Sequence, residues 1–463
     1  MASLIHPRDG SDETRVDATL SVTAAEGVLT DDIGSRPTRT RSMPLPSGSL
    51  HGSGRTSRDA ARRARRDLTP FTEEVGSPHT TPLEANSAEE SGKVSYSRSP
   101  GLFDRLTRQG IALAFTSYQS GLLYLLGSSA DQGPQLHQSG TVKPMGLAVG
   151  ADGELILATS NAIVRYRDVL KANQQINHTF DACYVPRTLH MTGELDAHDV
   201  CADADGRIIF VNTRFNCLAT TSDTHSFAPV WRPPFISALV DEDRCHLNGL
   251  AMDQGRPAFV SAVSRSDTID GWRDRRADGG VVIDVASGEI ACSGLSMPHS
   301  PRLHRGELWL LNSGTGELGV VTAGGRFEPR VFCPGFTRGL AFHGNLAFVG
   351  LSRPRYQRFE GLVLDQRLKD ADSEPWCGFQ VIDLDRGTCV DWFRIDGAVT
   401  ELYDLAVLTG RRCPMAVSLA APEAGSFITY ATDLEAPPPI PSAVTSNDPI
   451  LATEWRTLWA NQA

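Results

Sequence analysis

The sequence predicts an all-β protein, a six-bladed β-propeller preceded by a disordered N-terminal tail, and three observations support this fold class. Beyond residue 110 the apolar runs have the length of strands and end at turns that contain glycine. One unit, consisting of an apolar strand, a tight turn and a second strand, recurs six times. The first 98 residues show no periodic apolar pattern. A seven-bladed propeller is the alternative.

The chain divides into three regions by composition. Residues 1–98 are rich in Ser, Thr, Pro, Arg and Glu and are predicted to be a disordered, low-complexity tail, because they bury too little apolar surface to offset the entropy of ordering. The segment 101–110 (GLFDRLTRQG) predicts one short amphipathic helix. The propeller is expected over residues 99–432. Residues 433–463 are expected to form a surface tail with a short helix at EWRTLWANQ.

The six units align on one position of their first strand, at intervals of 53, 50, 52, 38 and 65 residues, an irregular period of roughly 40–50 residues. This is the spacing of four-stranded propeller blades that carry loop insertions. Turns at Asp-Gly, Gln-Gly, Arg-Gly or His-Gly pairs separate the first strand from the second. The aligned residues are Gly146, Asp199, Gly249, Pro301, Gly339 and Asp404.

The two ends of the repeat region complete one blade between them. Three apolar runs between residues 112 and 142 resemble second, third and fourth strands without a first strand. The inner strand of the sixth unit, near Leu402, supplies it, which gives six closed blades without an exposed sheet edge. If strand pairs are counted instead, and PMAVSL and FITYAT are included, seven blades result.

Charge and composition exclude several classes of protein. With 44 Lys and Arg against 55 Asp and Glu, the net charge of −11 disfavours a nucleic-acid binder. The N-terminus has neither a basic region nor an apolar segment typical of a secretory signal, and no run is apolar enough to cross a membrane, so a cytoplasmic protein is expected. Nine cysteines without a C-x-x-C pair indicate reduced thiols.

Several segments resemble a known family. They are SYQSGLLYL, HDVCADADGRIIFVNTRFNCL, HLNGLAM, PHSPR, LWLLNSGTGEL and ELYDLAV. Together with the repeat they resemble a bacterial family of propeller-like proteins, a domain of unknown function found alone or beside tetratricopeptide repeats. The resemblance covers residues 102–419 and implies the propeller fold. It implies no activity and no functional residues.

Three histidines predict a metal site at one mouth of the central channel. In a propeller, the residues at the start of the inner strands line the mouth on one face, and His198, His246 and His299 lie there in three consecutive units. Imidazole is the commonest ligand for iron, copper or zinc. However, they lie one, three and two residues before the aligned position, and strand side chains alternate between faces. The alternative is that each histidine hydrogen-bonds a neighbouring blade.

Other polar residues of the same rim are candidates for catalysis and substrate binding. Glu401, Tyr403 and Asp199 are the candidate catalytic residues, and an oxygen-ligand site for calcium or zinc could instead use Glu401, Asn248 and Asp199. Two insertions, 264–280 and 352–378, are predicted to project over this face as lids whose arginines and aromatic rings suit an anionic or planar ligand. The candidate substrate-binding residues are Arg302, Arg338, Asn248, Trp272 and Tyr356.

These residues predict a metal-dependent enzyme, an oxidoreductase or hydrolase, that acts on a small molecule or peptide at the channel mouth. Two alternatives remain open. The first is a non-catalytic platform that recognises a protein or peptide. The second is a metal-free binder of an anionic metabolite that uses Arg302 and Arg338. Nucleophilic serine catalysis and nucleotide hydrolysis have no support, because the propeller region contains no G-x-S-x-G, H-E-x-x-H or P-loop motif.

Overall fold

The computed structural model describes residues 21–24, 93–355 and 358–430, and it confirms an all-β, six-bladed propeller. Six sheets each contain four antiparallel strands that run in sequence order outward from the central channel, except in one blade. Strands such as Ile208–Asn212 (IIFVN) are buried along their whole length, because each blade packs between two neighbours. The apolar core therefore lies between adjacent blades.

One blade, here blade 1, is closed by strands from both ends of the propeller, as predicted. Its innermost strand pairs antiparallel with the first of the three N-terminal strands, from Asp404 opposite Thr116 to Thr409 opposite Ile111. The ring is thus sealed by backbone hydrogen bonds. From the centre outward its strands are β26 (Asp404–Thr409), β3 (Ile111–Ser117), β4 (Leu122–Ser129) and β5 (Gly133–Gly140).

Blades 2 to 4 follow along the chain. Blade 2 contains β6 (Leu147–Val149), β7 (Leu155–Ala158), β8 (Ala162–Asp168) and β9 (Ala182–Met191). Blade 3 contains β10 (Ala197–Ala202), β11 (Ile208–Asn212), β12 (Cys217–Thr220) and β13 (Ala228–Trp231). Blade 4 contains β14 (Leu247–Asp253), β15 (Arg256–Ala262), β16 (Gly280–Asp284) and β17 (Ile290–Leu295).

Blades 5 and 6 complete the ring. Blade 5 contains β18 (Pro298–His304), β19 (Glu307–Asn312), β20 (Glu317–Val321) and β21 (Phe327–Phe332). Blade 6 contains β22 (Phe336–His343), β23 (Leu346–Ser352), β24 (Cys377–Asp383) and β25 (Thr388–Asp396). Short 3-10 helices span Arg273–Arg275, Ser313–Thr315 and Pro422–Gly425.

Two short α-helices accompany the strands. The predicted amphipathic helix is α1 (Leu102–Gln109), which buries Leu102, Phe103 and Leu106 and ends at Gly110. That glycine takes a φ of 63°, the left-handed conformation that commonly terminates helices. The second helix, α2 (Leu364–Asp370), lies within the insertion of blade 6. No helix in the described ranges is long and apolar enough to cross a membrane.

Three further strands extend the outer edges of blades. Two of them, β1 (Ser21–Ala24) beside β5 and β2 (Ser95–Arg98) beside β25, lie within the segment for which disorder is predicted. The third, β27 (Pro414–Ala416), pairs with β9 and uses the PMAVSL run that the seven-bladed alternative requires. Residues 427–430 of the FITYAT run form no strand, so the described residues contain six blades. The EWRTLWANQ segment lies outside the described residues.

The six aligned positions alternate between small and larger residues around the channel. Glycine stands there in blades 2, 4 and 6, and the neighbouring inner strand packs directly against it. A Cβ atom on Gly146 would lie 2.9 Å from the Cα atom of Asp199, and one on Gly249 would lie 2.5 Å from Cδ of Pro301. The inner strands are therefore in close contact at these positions.

Gly339 allows a direct test of this packing. It has a φ of 75°, and an added Cβ would lie 2.7 Å from the backbone nitrogen of Leu405. Gly153 has a φ of 77°, but its Cβ would meet nothing within 4 Å. Because both share the conformational cost and only one clashes, we expect Gly339→Ala to lower the free energy of unfolding by about 1–3 kcal/mol more than Gly153→Ala in urea denaturation. Equal losses would contradict tight contact between the inner strands.

Candidate functional site

A continuous wall of aromatic and charged side chains lines one mouth of the channel, where the inner strands begin. The guanidinium carbon of Arg338 lies 4.4 Å from the ring centroid of Tyr403. The Tyr403 ring lies 5.6 Å from His198, and His198 lies 4.8 Å from His246. Finally, His246 stacks on Trp272 at 4.0 Å. Blades 6, 1, 3 and 4 thus contribute neighbouring groups to one surface.

β-Bulges bring these residues together despite their unequal spacing in the sequence. The pairing of the inner strand with its neighbour shifts between Ala197 and Val200 in blade 3, and between Leu247 and Gly249 in blade 4. Blades 5 and 6 carry equivalent shifts after His299 and Thr337. A bulge changes the direction of the side chains around it, so the alternation expected of a regular strand does not hold here.

His198 is held in one tautomer by blade 3. Its Nδ1 atom lies 2.9 Å from the carbonyl oxygen of Asp196 and 2.8 Å from the hydroxyl of Thr213. Because that hydroxyl donates its own hydrogen to the carbonyl of Leu247, it accepts from His198. Nδ1 therefore carries the proton, and Nε2 has a free lone pair on the side of the ring away from these partners.

His299 repeats this arrangement in blade 5. Its Nδ1 atom contacts the carbonyl oxygen of Met297 at 2.8 Å and the hydroxyl of Ser313 at 3.0 Å. Ser313 donates its hydrogen to the carbonyl of Thr337, just as Thr213 donates to the carbonyl of Leu247 two repeats earlier. The Nε2 atom of His299 is buried and has no hydrogen-bond partner among the residues that the structure describes. The ring packs edge-on against Phe336 at 5.5 Å.

His246 is fixed by an aspartate rather than by a hydroxyl group. Its Nδ1 atom lies 2.8 Å from Oδ2 of Asp243, which also accepts a hydrogen bond from the Trp272 indole at 2.9 Å. Asp243 and His246 both have positive φ angles, 42° and 52°, which are uncommon outside glycine. Strained backbone of this kind clusters at functional sites.

Burial keeps the imidazole rings of His198 and His299 neutral. It lowers the pKa of His198 to about 4, and it lowers the pKa of His299 well below the usual value for histidine. The positive charge of Arg338 acts in the same direction on both rings. Burial also raises the pKa of Tyr403 well above its usual value, so its hydroxyl stays protonated. Near neutral pH the mouth therefore presents the uncharged rings of His198 and His299 and the hydroxyl donor of Tyr403.

The candidate metal ligands do not form a complete site in this conformation. Among residues 93–355 and 358–430, no group of three or more His, Cys, Asp or Glu side chains is arranged so that it could hold a metal ion. His198 and His246 are in ring contact, whereas His299 contacts Phe336 one blade further on. The structure thus brings two of the three histidines together.

Glu401 bridges Arg338 and Arg355 at the end of the wall opposite Trp272. Its Oε1 atom lies 3.2 Å from Nη1 of Arg338 and 3.0 Å from Nη2 of Arg355. Arg355 comes from the insertion of blade 6 and also lies over the ring of Tyr118, 5.5 Å from its centroid. The predicted lid of this blade therefore reaches the mouth. Tyr356, a predicted substrate-binding residue, lies outside the described residues.

Arg302, the predicted substrate clamp, forms an ion pair with Asp199, a predicted catalytic residue, below the mouth. Arg302 donates to both carboxylate oxygens of Asp199, at 2.8 and 3.2 Å. Asp199 also accepts the backbone amides of Val200 and Leu250. The side chain of Asn248 donates to the carbonyl of Pro298 in the next blade. These three residues connect inner strands, because buried polar groups near the channel axis pair across blades.

Sequence reasoning missed the residues that orient the histidines. Asp243 was not a candidate, although it stands three residues before His246 in the segment DRCH. Thr213 and Ser313 were also missed. Both follow an asparagine at the end of the second strand, in VNT and LNS, so an alignment extended past the first strand would have paired them.

Comparison with known proteins places the chain in a family. Residues 100–417 match the model described as Domain of unknown function (DUF4915). The chain belongs to this family. This match to DUF4915 confirms the resemblance to a propeller-like family of unknown function that the sequence segments indicate. No curated protein matches the chain.

Two solved structures illustrate what the DUF4915 propeller is similar to. A nidogen/laminin complex contains a chain that is 13% identical, with a TM-score of 0.42 over 65% of this chain and 100% of the other. Virginiamycin B lyase from Staphylococcus aureus is 12% identical, with a TM-score of 0.32 over 65% of this chain and 99% of the other. Similarities at this level carry no inference about activity.

Proposed function

We propose that the channel mouth is an active site that acts on a small molecule or peptide by proton transfer, with Nε2 of His246 as the base. The pairing of His246 with Asp243 at 2.8 Å carries this proposal. It places the proton on Nδ1 and leaves the lone pair on Nε2. A carboxylate in this position also stabilises the imidazolium that forms when the base accepts a proton from the substrate.

The neighbouring groups suit the same reaction. Trp272 stacks on the His246 ring and shares its aspartate, which restricts the orientation of the base. The neutral Nε2 of His198 is a hydrogen-bond acceptor in ring contact with the base. The protonated hydroxyl of Tyr403 is a donor that would stabilise negative charge developing on the substrate. The wall thus combines a base, an acceptor and a donor.

A metal-dependent form of this enzyme is the second candidate. It is favoured by one observation, that Nδ1 of each of the three histidines is hydrogen-bonded, because metal-binding histidines typically donate this second ring nitrogen to an oxygen acceptor. Iron, copper or zinc bound through Nε2 of His198 and His246 would activate water or polarise a carbonyl group. An oxidoreductase or a hydrolase would result.

The test is a comparison of His246→Gln with a matched control. Purified protein is incubated with mixtures of small metabolites and short peptides, and their conversion is followed by mass spectrometry. We expect His246→Gln to convert the responding compound about 10²–10⁴-fold more slowly than the wild type, because general-base catalysis is lost. His304→Gln should retain the wild-type rate. His304 lies at the end of β18 away from the mouth, where it stacks on Phe342.

Metal analysis separates the two candidates. Near-stoichiometric iron, copper or zinc that is lost in a His198→Ala, His246→Ala variant, together with activity that a chelator removes, would support the metal-dependent form. Activity that survives chelation would support proton transfer alone. The enzyme proposal is wrong if the wild type converts no compound faster than His246→Gln does. A non-catalytic platform for a protein or peptide is then the better account.

A further inference from the structure

Three buried polar atoms beside the histidines lack a hydrogen-bond partner within the described residues. They are Nε of Arg338, the hydroxyl oxygen of Tyr403 and Nε2 of His299. Their residues are only 6%, 7% and 5% exposed. Leaving a buried group unpaired costs about 1–3 kcal/mol, so a protein rarely retains several such groups in one place. Two of these atoms, on Arg338 and Tyr403, are donors on side chains in contact with each other, so they point to a ligand that accepts hydrogen bonds.

The guanidinium group of Arg338 is only partly used by the protein. Glu401 contacts its Nη1 atom, which leaves the edge formed by Nε and Nη2 open. This edge carries two parallel N–H donors, the geometry that binds a carboxylate group through both of its oxygens. Tyr403 lies against the same guanidinium group, and its hydroxyl is a third donor. The open edge and the hydroxyl together suit one planar anion.

The ion pairs of Arg338 suit an anion with a small negative charge. Glu401 is shared by Arg338 and Arg355, so these three ion-paired groups carry an excess of one positive charge, which the half-exposed carboxylate of Asp196 offsets in part. A carboxylate would neutralise that excess, whereas a phosphate monoester carries a charge of about −1.5 to −2 at pH 7. The aromatic rings of Tyr403, Phe336 and Trp272 provide apolar surface beside the anion.

We propose that the substrate carries a carboxylate group and that the Nε–Nη2 edge of Arg338 binds it, with the Tyr403 hydroxyl as an additional donor. This inference rests on the proposed function, because it places the carboxylate beside the histidines that act on the neighbouring atoms. The wall runs without a gap from Arg338 through Tyr403 and His198 to His246. The carboxylate belongs either to a free small acid or to the C-terminus of a peptide.

Binding of matched acids and amides tests this proposal without a known substrate. The probes are benzoate and benzamide, and N-acetylphenylalanine and its amide, titrated into the full chain by isothermal calorimetry. We expect at least one acid to bind about tenfold more tightly than its amide, a difference of about 1.4 kcal/mol. A response to benzoate alone indicates a free acid, and a tighter response to N-acetylphenylalanine indicates a peptide C-terminus.

Variants assign the binding to Arg338. Arg338→Lys keeps the charge but loses the two-donor edge, and it should weaken acid binding by about tenfold or more. Arg330→Gln is the control, because Arg330 lies on the outer strand β21, where it pairs with Glu328, and this variant should bind the acid as the wild type does. His246→Gln should also bind the acid within about threefold of wild type. Failure of catalysis and failure of carboxylate binding are thereby distinguished.

Three outcomes would overturn the proposal. The first is equal affinity of the wild type for the acid and its amide. The second is an Arg338→Lys variant that has the unfolding midpoint of the wild type, and is therefore folded, but binds the acid as tightly as the wild type. The third is the absence of saturable binding for all four probes. Comparison of acid with amide uses the wild-type protein only, so the test stands even if Arg338 variants fail to fold.

Discussion

The Arg302→Met variant is expected to lose about 3–5 kcal/mol of the free energy of unfolding, the usual result of removing one partner from a buried ion pair. Arg302 donates two hydrogen bonds to Asp199 in the channel, where the Asp199 side chain is only 4% exposed. Methionine fills a similar volume but leaves that carboxylate without a counter-ion. Urea denaturation at pH 7 measures the loss.

Two further variants show that the loss comes from the unpaired carboxylate. The Asp199→Asn, Arg302→Met double variant removes both members of the ion pair, so it should recover part of the stability that Arg302→Met loses. Arg273→Met breaks an ion pair with Asp270 whose side chains are 60% and 51% exposed, and it should change stability by less than about 1 kcal/mol. An Arg302→Met variant as stable as Arg273→Met would refute a buried, mutually dependent pair.

The contribution of Asp404 to the stability of the fold should fall as the pH rises from 5 to 8, whereas the contribution of the buried, neutral His198 and His299 should rise. Burial, together with the nearby carboxylate of Asp199, raises the pKa of Asp404 from 3.8 to about 7. A raised carboxyl pKa means that the folded state holds the proton more tightly than the unfolded state. The resulting stabilisation is complete below pH 4 and is lost as the pH approaches and passes 7, to a total of about 4 kcal/mol.

The Asp404→Asn variant isolates this contribution. Its amide does not titrate, so its stability relative to the wild type should improve by a few kcal/mol between pH 5 and pH 8. The hydrogen bonds from Leu147 and Leu405 favour the ionised carboxylate, and they only partly offset the effect of burial on the pKa of Asp404. Asp152→Asn is the control, because the hydrogen bond from Arg167 lowers the pKa of Asp152 and its difference should stay flat in this range. A flat curve for Asp404→Asn would contradict the raised pKa.

The sequence predicts the fold well because the fold depends on local, repeated signals. Strand length, turn pairs and the period of the units indicate six blades, and the missing first strand before residue 112 identifies the closure by residues near 404. The edge strand β1 was not predictable in this way. Its pairing depends on the exposed edge of β5, which exists only in the folded ring.

The candidate site was predictable in location but not in detail. The rim histidines could be found because each begins an inner strand. Their orientation depends on bulges and on positive φ angles at residues such as Asp243 and His246, which no periodic pattern encodes. Arg302 and Asp199 are 103 positions apart in the chain, so their ion pair forms only when blades 3 and 5 face one another in the folded ring.

The shared blade 1 also sets the time at which the propeller can be completed during synthesis. Asp404 and Thr116, which pair across its two inner strands, are 288 positions apart in the chain. At elongation rates of 5–20 residues per second, roughly 15–60 s pass between the synthesis of these two strands. For that period the inner edge of β3, whose residues are all buried in the finished ring, has no partner strand. The nascent chain is therefore most exposed to aggregation at this edge, and a truncation before residue 404 would make that exposure permanent.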